Sequence, residues 1–314
     1  MRCFYHPGYY FPLPAEHPFP MDKFWRSEAM IREAAAVRPE LAIEILPAEP
    51  ATMAQLERVH TAEYLDKIRT GTLDHVEALK LGLPAGEELL TRCRRETGGT
   101  IAAAWAALAA DNAHPLACNL AGGTHHAFAD RGLGYCVLND VAVAIRDLHA
   151  VRPDLRVFVI DTDAHQGNGT HGLFAGDPRV FTYSIHVGRN YPALKTPGSL
   201  DVELPRYVHE SDYLEQLEST LAPALDDAAP GLVFWIAGAD PHEADRFGQM
   251  TLTDAGMAAR DRHVLELVTL RRLPTAVLYG GGYNRDREHT ARLHARTVLA
   301  AAEFAAPRSR ALRV

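Results

Sequence analysis

The 314-residue chain has little that would bind a polyanion, cross a membrane or be stapled by disulfides. Its 32 lysines and arginines are outnumbered by 40 aspartates and glutamates, for a formal net charge of −8, and no basic run stands out. Nothing therefore drives tight binding to a phosphate backbone, and no direct nucleic-acid partner is expected. The four cysteines, Cys3, Cys93, Cys118 and Cys136, lie far apart without CxxC spacing. That argues against a thiolate zinc site or a disulfide framework and suits a reducing compartment, the cytoplasm by default. The longest small-apolar run, Ile101 to Ala110, is about half a bilayer span and stops at Asp111, and the opening MRCFYHPGYY has no long apolar segment. Neither a membrane anchor nor a signal peptide is expected. Repeats, low-complexity tracts and Ser/Gly linkers are also missing, so residues 1–314 are read as one domain.

What is present is a globular composition, 47% apolar and 23% charged, with a βα alternation from about residue 115 onward. Short apolar or β-branched runs at Leu116–Leu120, Val157–Ile160, Val180–Ile185, Leu232–Ile236 and Thr275–Tyr279 predict strands. Helical spacing predicts helices over Leu138–Ala150, Ser211–Asp227, Thr253–Leu270 and His289–Phe304. The runs VFVI, LVFWIA and TAVLYG lack in/out alternation, as parallel strands covered by helices on both faces do. The expected fold is a single-domain, three-layer α/β/α sandwich around a mainly parallel sheet. The first hundred residues look more helical, with Met21–Val37, Ala51–Ile68 and Gly86–Ala110 around one apolar run, Leu41–Leu46, and are expected at the sheet edge.

Open parallel sheets bind ligands beyond the carboxyl ends of their strands. The segments that follow four of the predicted strands are AGGTHHAF, DTDAHQGNGTH, AGADPHEADRFG and GGGYNRD, each a His/Asp cluster or a glycine-rich turn. Asp161, Asp163 and His165 alternate at a strand end and project to one side, so a carboxylate and an imidazole can grip one cation. A lone DxH is more often a cap or a solvated loop, but two further His/Asp loops from neighbouring strands favour the metal reading. A third ligand would come from Asp240, His242, Glu243 or Asp245, and spacing does not choose among them. His125 and His126 follow two glycines; adjacent residues rarely face one ion, so acid/base groups beside a metal are as reasonable as ligands. Tyr283, presented by Gly280, Gly281 and Gly282, is placed to donate a hydrogen bond to a developing oxyanion. His171, His186, His209, His289 and His294 read as ordinary surface, cap or core residues.

The blocks GGTHHAFADRGLGYCVLND, VIDTDAHQGNGTHGLF, AGADPHEADRFGQMTLT and GGGYNRDREHTARLHA, with VHTAEYLDKI earlier, resemble the histone deacetylase family of the arginase/deacetylase fold, in order and over nearly the whole chain. AHQGNG, His17-Pro18-Phe19 and LRRLP are most similar to its class IV branch. The resemblance implies Asp163, His165 and Asp245 as ligands of Zn²⁺, with Fe²⁺ or Mn²⁺ also compatible with such a donor set. It implies His126 as general base and acid, His125 as its electrostatic partner, Asp161 and Asn168 as the groups orienting the two imidazoles, and Tyr283 as oxyanion donor. It further implies a structural K⁺ held by Asp161, the main chain of Asp163 and His165, and carbonyls of Ser184 and Ile185. Gly134, Tyr135, Tyr191, Gly281 and Gly282 fall on the walls of the substrate tunnel. The implied reaction removes acetyl or longer fatty-acyl groups from the ε-amine of lysine in a protein, a peptide or a small acylated amine. The rim aspartate that grips a peptide backbone in many members has no counterpart in LGLPAGEE.

Three rivals are carried alongside. An acetylpolyamine amidohydrolase would present the same catalytic groups. An arginase-like ureohydrolase with two manganese ions would need a DxHxD cluster, whereas Gln166 and Gly167 follow His165. A catalytically silent acyl-lysine-binding module would not need Tyr283 together with both histidines. Oligomeric state is not legible in the chain.

Overall fold

The structure, a computed structural model, describes residues 1–109 and 115–306. Ala110, the last residue of the predicted Gly86–Ala110 helix, lies outside the described residues, as do the final eight of the chain. The strands are β1 (Arg2–Phe4), β2 (Glu44–Leu46), β3 (Leu116–Asn119), β4 (Val157–Asp161), β5 (Val180–Val187), β6 (Leu200–Leu204), β7 (Leu232–Ile236) and β8 (Thr275–Leu278). They form one sheet, ordered β2-β1-β3-β8-β7-β4-β5-β6, in which every pairing is parallel. The helices are α1 (Lys23–Val37), α2 (Met53–Leu56), α3 (Ala62–Thr70), α4 (His75–Leu81), α5 (Glu87–Leu108), α6 (Asp140–Val151), α7 (Asn168–Phe174), α8 (Glu210–Ala228), α9 (Asp254–Leu270) and α10 (Arg287–Ala305).

The expected α/β/α sandwich is what forms. β4 and β7 are buried along their whole length, with no residue of either more than 2% exposed, which explains their unbroken apolar character. Trp235 on β7 is fully buried and satisfies its indole N–H by donating to Thr162 Oγ1 at 3.1 Å. Its truncation to alanine would cost about 3–5 kcal/mol.

The N-terminal region departs from the expectation. Only β1 and β2 extend the sheet edge; α5 packs across β1, β3 and β8, backed by α6, while α1 packs on α10. The predicted helix Ala51–Ile68 is broken into α2 and α3. Thr61 starts a new helix by accepting the Tyr64 N–H at 3.2 Å, and His60 turns inward so that its Nε2 accepts the Asn139 N–H at the start of α6. No helix among the described residues is long and apolar enough to cross a membrane. The four cysteines are buried and unbridged.

The strand order gathers the sequence motifs at one place. β3, β8, β7 and β4 are four successive neighbours in space although they are far apart in sequence. Their carboxyl ends carry the four motif-bearing segments.

Candidate functional site

At the end of β4 the chain turns tightly on its own carboxylates. Asp161 Oδ1 accepts the Asp163 N–H at 3.1 Å, and Asp163 Oδ1 accepts the His165 N–H at 3.0 Å. Asp163 Oδ2 accepts the Gly281 N–H at 2.6 Å, which ties the β4 loop to the β8 loop. Two glycines permit this convergence. Gly123, at φ +76°, leaves room where a Cβ would lie 2.8 Å from Gly280 N, and at Gly281 a Cβ would lie 2.3 Å from Asp240 Oδ2 and 2.6 Å from Asp163 Oδ2.

His165 lies at the centre. Its Nε2 sits 3.2 Å from the Phe247 carbonyl oxygen, which can only accept, so Nε2 carries the proton. Its Nδ1 faces Asp163 Oδ1 at 3.0 Å and Asp240 Oδ2 at 2.9 Å. Facing two carboxylates, Nδ1 must either bear a second proton or direct its lone pair at a cation. Asp163, His165 and Asp240 each offer a ligand atom, all within 4.8 Å of one another and all buried. Burial, then Asp163, pushes the Asp240 carboxyl up to about 7; against burial, Asp240 and Asp163 hold His165 well above the usual imidazole range. Buried carboxylates crowded on one imidazole, with a hard oxygen and nitrogen donor set, fit a divalent cation.

Asp245 is held differently. Its Oδ1 accepts the N–H groups of Phe247 (2.8 Å) and Gly248 (3.0 Å), and its Oδ2 accepts the Tyr283 N–H at 2.5 Å. The compact cluster therefore contains Asp240 in the place expected for Asp245, with Asp245 at its open side between Arg246 and the Tyr283 loop. His242 and Glu243 of the same loop stay outside it. His242 pairs through Nε2 with Asp254 at 3.2 Å, a carboxylate shared with His289 at 3.1 Å, and Glu243 is exposed.

The tandem histidines are brought to the same place by contrasting partners. His125 Nδ1 meets the Asp161 carboxylate at 2.6 Å, whereas His126 Nδ1 meets the Asn168 side-chain oxygen at 2.9 Å. Burial opposes charge on His125, yet Asp161 and Asp163 raise it to about 9. Burial, then the charges of His125 and His165, hold His126 well below the usual range. One imidazole is thus kept cationic and its neighbour neutral. The loop bearing them is clamped from below. Asp140 accepts the N–H groups of Gly123 (3.0 Å) and Thr124 (2.8 Å), and Glu96 Oε1 accepts that of Gly122 (3.2 Å).

Above this floor a cavity of about 350 Å³ opens to solvent, lined by His126, His165, Gly134, Tyr135, Tyr191 and Tyr283 among others. Tyr283 packs against Tyr135, Phe19 and Phe247 at centroid distances of 5.8, 6.1 and 5.3 Å. Burial, then Asp163 and Asp240, keep its phenol well above the usual range and hence protonated. Gly281 lies on the floor beside Asp163. Gly282 does not reach the cavity: it is buried against Thr290, Ala239 and His294. Ser184 and Ile185 are buried on β5, with Ser184 paired opposite Asp161.

Sequence reasoning missed Asp140, Glu96 and Lys23. Lys23 is buried on α1 with its Nζ donating to the Gly280 carbonyl at 2.9 Å and lying 5.3 Å from the Phe19 ring; burial lowers it to about 8 against the pull of Asp240 and Asp163. Nothing in sequence separates these three from ordinary helix-end or i,i+4 charges.

The chain matches the family model described as Histone deacetylase domain over residues 17–300. It is 39% identical over 282 residues to an uncharacterized protein of Picosynechococcus, covering 90% of this chain and 92% of that one. It is 29% identical to histone deacetylase 2 of Arabidopsis thaliana, covering 86% and 70%, and 28% identical to the acetoin utilization protein AcuC of Staphylococcus aureus, covering 86% and 73%. The crystal structure of the HDA15 HD domain superposes with a TM-score of 0.76 over 97% of this chain and 91% of that one, at 22% identity, a likeness of fold.

Proposed function

The chain belongs to the histone deacetylase family, and on that premise we propose that it is a metal-dependent amidohydrolase acting on acyl groups carried by the ε-amine of lysine. The observation that carries the reading is the unlike pairing of the tandem histidines, His125 to a carboxylate and His126 to an amide, in the small inner pocket that both share with His165 and Tyr283.

Asp163, His165 and Asp245 are the residues that would hold the cation. Asp240, within the cluster, is fully buried, whereas Asp245 directly precedes the cavity-lining residues Arg246 and Phe247. A second reading, with Asp240 as third ligand, is favoured by its tighter convergence on His165. When bound, Zn²⁺, or Fe²⁺ or Mn²⁺, supplies Lewis acidity to the amide carbonyl and acidifies water. His126, neutral and oriented by Asn168, takes the proton of the attacking water and returns one to the departing amine. His125, cationic against Asp161, stabilises negative charge as it develops. Tyr283 donates its phenol proton in a hydrogen bond to the carbonyl oxygen as that atom becomes an oxyanion. Tyr135 and Tyr191 wall the acyl-lysine slot, and Gly134 leaves room for the Tyr191 ring, which a Cβ there would meet at 2.9 Å. Asp161, the Asp163 and His165 main chain and the Ser184 and Ile185 carbonyls are the groups that would hold a structural K⁺.

The test is a panel of fluorogenic lysine substrates carrying acetyl to long fatty-acyl groups, with and without chelator. Turnover of an acyl-lysine that chelator abolishes and metal restores is the expected result; turnover indifferent to chelator, or none across the panel, overturns the assignment.

A further inference from the structure

The mouth of the cavity inverts the charge of the molecule that carries it. The protein bears a net charge of −8, yet among the described residues no aspartate or glutamate lines this cavity, while Lys80 and Arg246 do. Both cations lack a neutralising partner. Lys80, exposed on α4, makes no ion pair or side-chain hydrogen bond among the described residues; Asp74, before the start of the same helix, feels its charge without pairing. Arg246 donates only to main-chain carbonyls, those of Tyr283 and Pro18, each at 2.8 Å, and its charge is felt at the Tyr135 phenol. Between them the rim is apolar: Leu79 is 69% exposed, and Tyr191 and Phe247 are more than a third exposed.

We propose that this mouth selects an acylated lysine with a carboxylate beside it and rejects acylated polyamines, with Lys80 and Arg246 as the specificity-determining pair. The inference rests on the deacylase reading above and names its substrate class. A polyamine brings further ammonium groups into the mouth, where each meets two cations and no carboxylate. A carboxylate there gains both cations instead, whether it comes from an acidic residue flanking the acyl-lysine in a peptide or from the free α-carboxylate of Nε-acyl-lysine. At a wet rim each such encounter changes kcat/KM by a factor of roughly five, chiefly through KM.

The experiment measures kcat/KM for acetyl-lysine peptides flanked by Glu, Gln or Lys, for free Nε-acetyl-lysine and its carboxamide, and for an N-acetylated polyamine, at low and high salt. The expected order is Glu over Gln over Lys, with the polyamine last and the spread shrinking as salt rises; free acid over carboxamide identifies the α-carboxylate as a source. Lys80→Glu, at an exposed position, leaves Arg246 beside a new carboxylate and so cancels the charge of the pair; it should flatten the peptide order. Equal kcat/KM across the charge series, preference for the polyamine, or an order unmoved by Lys80→Glu overturns the proposal while leaving the deacylase reading standing. No turnover of any of these amides overturns that reading itself.

Discussion

Removing the metal and the Asp240 charge together tests whether the convergent carboxylates form a cation site. Asp163 and Asp240 approach one imidazole nitrogen at 3.0 and 2.9 Å, with ligand atoms within 4.8 Å. Two unit charges at that separation repel by about 3 kcal/mol at an effective dielectric near 20. Burial, then the charge of Asp163, raise the Asp240 carboxyl from 3.8 to about 7, which is about 4 kcal/mol on ionisation for the two causes together. Because the folded value exceeds the unfolded one, the folded chain holds this proton more tightly. The associated stability is present below pH about 4 and is lost as pH rises to about 7. Chelator-stripped Asp240→Asn should therefore be more stable than stripped wild type by about 3 kcal/mol at pH 8, and nearly equal to it at pH 4, in urea unfolding. Added Zn²⁺ should stabilise wild type more than the variant. If the stripped variant gains nothing at pH 8, the carboxylates are not crowded and the case for a cation there fails. An Asp245→Asn arm chooses the third ligand by elemental analysis: metal lost in that variant and retained, about 10- to 100-fold more weakly, in Asp240→Asn supports Asp245. The reverse pattern makes Asp240 the ligand.

Tyr283→Phe should keep the fold and metal content but lower kcat by about 10²- to 10³-fold on an acyl-lysine substrate; near-normal turnover removes the phenol from the mechanism. His126→Ala should be more damaging than His125→Ala in single-turnover assays, and the opposite ranking exchanges their roles. His60, buried and held at about 4 by burial, stays neutral in the folded chain but takes a proton in the unfolded one below about 6.5. It should withdraw about 3 kcal/mol of stability as pH falls from about 6.5 to about 4, and His60→Gln, whose amide oxygen can still accept the Asn139 N–H, should flatten that acid limb in urea titrations.

The central strands and the four motif segments were legible because burial on both faces leaves an unbroken apolar run, and the ligand position directly follows it. β6 escaped because it is an edge strand, and LDVEL mixes polar residues into its apolar pattern. β1 is three residues long, too short to register as a run. α7 is hidden by its glycines in NGTHGLF, whereas α4 carried a readable signal, the reciprocal Asp74/Glu77 capping box that forms at its start. In the site, Asp163, His165, His125, His126 and Tyr283 were readable from their place after strands. The contest between Asp240 and Asp245 was not, since both follow β7 within six residues of one another and only side-chain direction separates them. Asp140 and Glu96 act by gripping main-chain amides, and such a role leaves no mark in residue type.

β8 is the joint of the sheet. Residues 275–278 form the ladder between β3 and β7. Take β8 away and the strand order falls into two parts, β2-β1-β3 on one side and β7-β4-β5-β6 on the other, with no pairing between them. The histidine loop rides on the first and the aspartate loops on the second. The site is therefore only as intact as the β8 ladder that joins the two halves, and without that ladder the DTDAH motif keeps all its residues but loses its register with the histidine loop.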